Sequence, residues 1–128
     1  MKYILLIALI VGGGYYYHRY TTTQDNSQAL ALLLDELVEQ GSVDLFDLKD
    51  ANVKRIYAIC AQNEEMLLGS GRTVSDCMQA HDVKRAECEE VIFRLAPLTI
   101  DSREDLLDYT KRYLRCTLPY KDLKYQSY

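Results

Sequence analysis

The chain has no tryptophan, only two prolines and only six glycines among its 128 residues. So few prolines and glycines exclude collagen-like and low-complexity architectures. Excess charge is also small: 15 Lys and Arg face 19 Asp and Glu, for a net charge of −4. Two of the cations, Lys2 and Arg19, fall in the first twenty residues, so the remainder is more acidic still. An acidic body argues against a nucleic-acid binder, which needs a basic stripe facing phosphates. The motifs G-x-S-x-G, H-E-x-x-H and G-x-G-x-x-G and a Walker loop are all missing. No C-x-x-C occurs, which removes the usual zinc and dithiol spacings. Strand-like alternation and internal repeats are lacking too. What is left is enough for one small domain, with 48% hydrophobic and 27% charged residues, proportions that suit a folded core.

The one strongly apolar run is Ile4 to Val11. Lys2 precedes it, and Gly12-Gly13-Gly14, Tyr15-Tyr16-Tyr17 and His18-Arg19 follow. A positive charge before an apolar run is the layout of an export signal. The uncharged stretch from Tyr3 to Tyr17 is shorter than the ~17–25 residues of an ordinary spanning helix. Two fates compete for residues 1–20, with a buried helix of the fold as a third. As a retained single transmembrane anchor, the segment places its tyrosines and His18 at headgroup level, while Lys2 and Arg19 snorkel outward. As a cleaved signal sequence, it is cut after Gly13, with Val11 and Gly13 in the −3 and −1 places. No cysteine follows the run, which excludes a lipoprotein anchor. No Lys or Arg occurs between Arg19 and Lys49, so the N-terminus is expected inside and the body outside.

Residues 21–26, opening with three threonines, read as a polar linker, with Asp25 or Asn26 capping the next helix. A helix is expected from Ser27 to Gln40, with Leu30, Leu33, Leu34, Leu37 and Val38 on its apolar face and Gly41 ending it. Ser42 to Leu48 suggests a short helix or turn. A longer helix is expected from Asp50 to Leu68, and Gly69-Ser70-Gly71 breaks the chain after it. Thr73-x-x-Asp76 has the form of a capping box opening a helix that reaches Ala96, with a break near 80–82 left open. Its apolar stripe includes Cys77, His81, Cys88, Val91 and Leu95. The last helix starts near Asp101 or Ser102, with Asp101-x-x-Glu104 as its box, and Pro119 closes it. Its order of acids first and Lys111, Arg112 and Arg115 last complements the helix dipole. The expected fold is all-α. It is a small antiparallel bundle of three to four helices over residues 27–118, followed by a loose tail at 119–128.

The four cysteines, Cys60, Cys77, Cys88 and Cys116, all fall on expected apolar faces. An even count behind an export signal reads as two structural disulfides. Cys77 and Cys88 stand eleven residues apart on one helix, a rise of ~16 Å, so they cannot join each other unless that helix breaks. Two pairings survive: Cys60–Cys77 with Cys88–Cys116, or Cys60–Cys88 with Cys77–Cys116. The first closes shorter loops. Either set clamps the central helix to both neighbours.

Cys77 and His81 are four residues apart on one helix face, a spacing that lets both reach one metal ion or haem iron. The stretch Cys77-Met78-Gln79-Ala80-His81-Asp82 resembles the active-site helix of secreted phospholipase A2. That resemblance implies a water-activating role for His81 and a calcium-binding role for Asp82. It covers six residues. Val83 and Lys84 stand where the family has its next cysteine, and the family's glycine-rich calcium loop is missing. The pairs Glu64-Glu65 and Glu89-Glu90 point in different directions on a helix and form no facing acid–base couple. The expectation is therefore a non-catalytic module without cofactor or metal, held at a bacterial inner membrane with its domain in the periplasm. There it binds a protein partner, as an accessory subunit, assembly factor, inhibitor or immunity protein. The alternatives are an exported form released by cleavage, a Cys77/His81 metal or haem redox module, and a small hydrolase centred on His81-Asp82.

Overall fold

The computed structural model describes residues 1–125. They form five helices: α1 (Lys2–Gln40), α2 (Leu45–Gln62), α3 (Glu64–Gly69), α4 (Val74–Phe93) and α5 (Arg103–Thr117). Two two-residue strands, β1 (Val43–Asp44) and β2 (Thr99–Ile100), pair antiparallel, with Val43 opposite Ile100. Two residues are too few to show alternation, so the pair carries no strand signal in the sequence. The expectation of a small all-α domain holds. α1, α2, α4 and α5 run up, down, up and down, and the strand pair closes the end where α1 and α4 finish.

Local chemistry sets most boundaries. Gly41 ends α1 in a left-handed conformation (φ 80°) that suits a residue without Cβ, and its N–H bonds the Leu37 carbonyl at 2.8 Å. Asp44 caps α2 by accepting from the Phe46 N–H at 2.8 Å. The long helix expected through Leu68 breaks at Asn63, leaving α3 as a short separate piece. The Thr73/Asp76 capping box forms in both directions at 2.9 and 3.1 Å. α4 then runs unbroken through 80–82 but stops at Phe93, short of Ala96. At α5 the cap lies one residue later than expected: Ser102 accepts from the Asp105 N–H at 3.3 Å.

The largest departure is α1. The threonines of the expected linker are helical, and the helix runs without a cap from Lys2 into the bundle. Thr22 and Thr23 donate their hydroxyls to the carbonyls of His18 and Arg19 at 2.9 and 3.0 Å, and Thr21 does the same to Tyr17. Such back-bonding satisfies a hydroxyl inside a helix, so a threonine run need not end one. Asp25 and Asn26 are interior residues, not caps. Every residue from Met1 to Tyr20 is exposed, and Arg19 reaches Glu64 of α3 at 3.6 Å. The first ~25 Å of α1 therefore projects beyond the bundle, apolar on all sides from Tyr3 to Val11. No helix among the described residues is long and apolar enough to cross a membrane.

Leu30, Leu33, Leu34 and Leu37 of α1 pack on Leu48, Ile56 and Ile59 of α2, Ile92 and Phe93 of α4, and Leu106 and Leu114 of α5 in one core. Val38, Val91 and Leu95, expected on apolar stripes, are exposed. Nor is the tail loose over its described part. Leu123 is buried, and Asn63 holds Lys124 by two bonds of 2.8 Å, one to its carbonyl and one from its N–H. Arg72 stacks on Tyr120 at 4.3 Å. Residues 126–128 of the expected tail lie outside the described residues.

Candidate functional site

α4 is bonded covalently to both neighbours. Cys60 of α2 joins Cys77, and Cys88 joins Cys116 of α5. This is the pairing with the shorter loops, at separations of 17 and 28 residues. Among the described residues no cysteine is free. The two bridges differ in surroundings. Cys60, Cys77 and Cys88 are fully buried, whereas Cys116 is exposed beside Arg115, contrary to its expected place on an interior face.

One helical turn beyond Cys77, His81 is fully enclosed between α2, α4 and α5. Its Nε2 lies 2.5 Å from the Tyr113 hydroxyl of α5, and its Nδ1 lies 2.9 Å from Asp82 Oδ1. Tyr57 of α2 donates its hydroxyl to the same Asp82 oxygen at 2.6 Å. Both tyrosine rings meet the imidazole edge-on, with centroids 5.5 and 5.6 Å away. One proton arrangement satisfies every group: Tyr113 O–H to Nε2, Nδ1–H to Asp82, and Tyr57 O–H to Asp82. It requires a neutral imidazole. Burial pushes the His81 pKa below its ordinary 6.5, against the opposing pull of Asp82. Burial also acts to raise Asp82, but the hydrogen bonds from Tyr57 and His81 outweigh it and hold the carboxyl below its ordinary value. Tyr113 is raised, chiefly by burial and then by the charge of Glu89. Tyr57 is raised too, first by its bond to Asp82.

This geometry bears directly on the chemical roles weighed for Cys77, His81 and Asp82. The Cys77 sulfur is spent in the bond to Cys60, so it offers no thiolate to a metal. Both nitrogens of His81 are engaged, and the ring has no exposed surface. A base in that position has neither a free lone pair nor room for water. Asp82, half open to solvent, has its Oδ1 shared by Tyr57 and His81. No group of three or more His, Cys, Asp or Glu among the described residues is arranged to hold a metal ion. The arrangement ties three helices together through one polar cluster. Glu64 and Glu89 each meet a cation at the surface, Arg19 and Arg85 respectively.

Tyr57 and Tyr113 carry an apolar-face signal in the sequence, but nothing there pairs them with His81. The i,i+4 rule finds partners along a helix, and both tyrosines come from other helices. A second cluster, Arg55, Lys111 and Arg115, gathers around a cavity between α1, α2 and α5. In the sequence Lys111 and Arg115 register only as charges complementing a helix end. No protein-family model, no curated protein sequence and no solved structure matches this chain.

Proposed function

We propose that this protein is a non-catalytic helical module, fixed at a bacterial inner membrane by the start of α1, that presents its disulfide-bonded domain to a protein partner in the periplasm. The observation that carries the proposal is the union of two features in one chain. Two disulfides favour an oxidising compartment. The same chain begins with a helix apolar on all sides that packs against nothing in the bundle over residues 1–18. A helix hydrophobic all round belongs in an apolar surrounding. From Tyr3 to Tyr17 it covers ~21 Å, less than the ~30 Å hydrocarbon core, so an anchor of this length needs local thinning of the bilayer. Tyrosines at both ends of that stretch suit the interfaces.

Partner binding is supported at the opposite end. Val38, Phe46, Leu95 and Leu98 are exposed around the end closed by β1 and β2. That end lies farthest from the start of α1, where a membrane-held domain is most accessible. The acidic body favours a partner with a basic surface.

Cell fractionation with thiol counting tests the location. The expected result is recovery with the inner membrane, with four sulfurs blocked to alkylation until reduction. A soluble protein with free thiols in the cytosol would overturn it. The partner role is tested by Leu95→Asp with Leu98→Asp. These changes should leave the melting temperature unchanged and abolish crosslinking to whatever the wild-type domain captures in intact cells. Turnover of any substrate by the isolated chain would contradict the non-catalytic assignment.

A further inference from the structure

We propose that the α3 end of the bundle rests on the surface of the bilayer that holds the start of α1, with Leu68 inserted at headgroup depth. This inference rests on the anchor reading above and adds to it a second membrane contact, made by the folded domain itself. Its basis is the height of α3 along α1. α1 has no break between Lys2 and Gln40, so anchor and bundle share one rod with no linker between them. The apolar stretch ends at Tyr17, and Arg19 stands two residues, or ~3 Å, farther along the axis. Arg19 meets Glu64, the first residue of α3, at 3.6 Å. The headgroup zone on each face of a bilayer is ~5–7 Å deep. A rod sunk as far as Tyr17 therefore brings α3 into that zone.

The chain's course and the side chains at this end agree with that placement. α2 runs down to Gln62 and α4 starts back up at Val74, so α3 and the turn after it form the lowest part of the bundle. Leu68 is 58% exposed there, next to the buried Leu67. A bare leucine at headgroup depth gains by meeting the upper acyl chains. The charge of Glu64, which lipid phosphates would repel, is matched by Arg19. Arg72 bonds the Leu67 carbonyl through its N–H at 2.8 Å and holds the Tyr120 ring at this end, 4.3 Å from its guanidinium. Tyrosine is a residue of the membrane interface. The short anchor acts in the same direction. Tyr3 to Tyr17 spans ~21 Å against a hydrocarbon core of ~30 Å, so thinning the bilayer to fit draws the headgroups and α3 together.

The chain has no tryptophan, so a single introduced indole reports its own depth. Leu68→Trp, Ile7→Trp in the apolar stretch and Leu98→Trp at the far end are each made in the full-length protein. The three positions are 58%, 61% and 71% exposed, so each variant should melt with the wild type. They are reconstituted in vesicles of phosphatidylethanolamine and phosphatidylglycerol whose acyl chains carry bromine close to the headgroup. Emission from Ile7→Trp and Leu68→Trp should shift to the blue and lose most of its intensity to the bromine. Emission from Leu98→Trp should do neither. Quenching of Ile7→Trp with none at Leu68→Trp would overturn the docking and leave the anchor standing. Equal quenching of Leu68→Trp and Leu98→Trp would also overturn the docking. No quenching of Ile7→Trp would overturn anchor and docking together.

Discussion

The two disulfides should fail in a fixed order under reduction, Cys88–Cys116 first. Thiol–disulfide exchange begins with attack of a thiolate on a sulfur, so access decides the rate. Cys116 is exposed, whereas Cys60 and Cys77 both have no exposed surface. The energetic stakes follow from loop length. Closing a 28-residue separation stabilises the folded state by about 3.5 kcal/mol, and a 17-residue separation by about 3 kcal/mol. A domain of this size has a total stability of roughly 5–15 kcal/mol. Loss of either bridge therefore removes a large fraction, and loss of both approaches the whole. The assay is a titration with a phosphine reductant, quenched by alkylation and read by peptide mass. At low reductant, label should appear on Cys88 and Cys116 while Cys60 and Cys77 stay joined. Urea unfolding of Cys88→Ala with Cys116→Ala should then show a loss of about 3–4 kcal/mol. Simultaneous labelling of all four sulfurs, or labelling of Cys60 and Cys77 first, would refute the accessibility argument. A loss well under 1 kcal/mol would refute the loop-entropy argument.

Three further outcomes are expected. The His81 pKa is held below 6.5 in the fold, so between its folded value and 6.5 the unfolded chain binds a proton that the folded chain refuses. The His81 contribution to stability should be level above pH 6.5 and fall as pH drops through that window, and His81→Gln should flatten the slope in urea midpoints there. Asn52 is 1% exposed, and neither its Nδ2 nor its Oδ1 has a hydrogen-bond partner among the described residues. Asn52→Leu should therefore raise stability by about 1–2 kcal/mol, and a lower melting temperature would contradict this. Asn63 donates at 2.7 Å to the Ile59 carbonyl and at 2.8 Å to that of Lys124, whose N–H it accepts at 2.8 Å. Asn63→Ala should cost about 1–3 kcal/mol and speed amide exchange at Lys124, while protection in α5 is retained.

The helix ends show how far the chain can be read locally. Gly41, Thr73 with Asp76, and Pro119 mark stops and starts within one turn of themselves, because a cap acts on N–H or carbonyl groups three or four residues away. The Asp101/Glu104 box does not form; the neighbouring Ser102 caps α5 instead by accepting from the Asp105 N–H, and the two candidates stand one residue apart in the sequence. Residues 21–26 are helical where a linker is expected, for a related reason. Threonine is a weak helix former in isolation, yet its hydroxyl is satisfied within the helix once the turns on either side exist.

Legible in the residues alone are the helical class, the presence of two bridges and the apolar start. Each follows from spacing along the chain or from a count of residue types. Packing in three dimensions sets which sulfurs meet, that Cys116 faces water, that Tyr113 and Tyr57 close around His81, and that Arg55, Lys111 and Arg115 line one cavity. Those juxtapositions depend on how α2, α4 and α5 are rotated about their own axes. That rotation is fixed by the fit of all the core side chains together, which no single helix carries in its own residues.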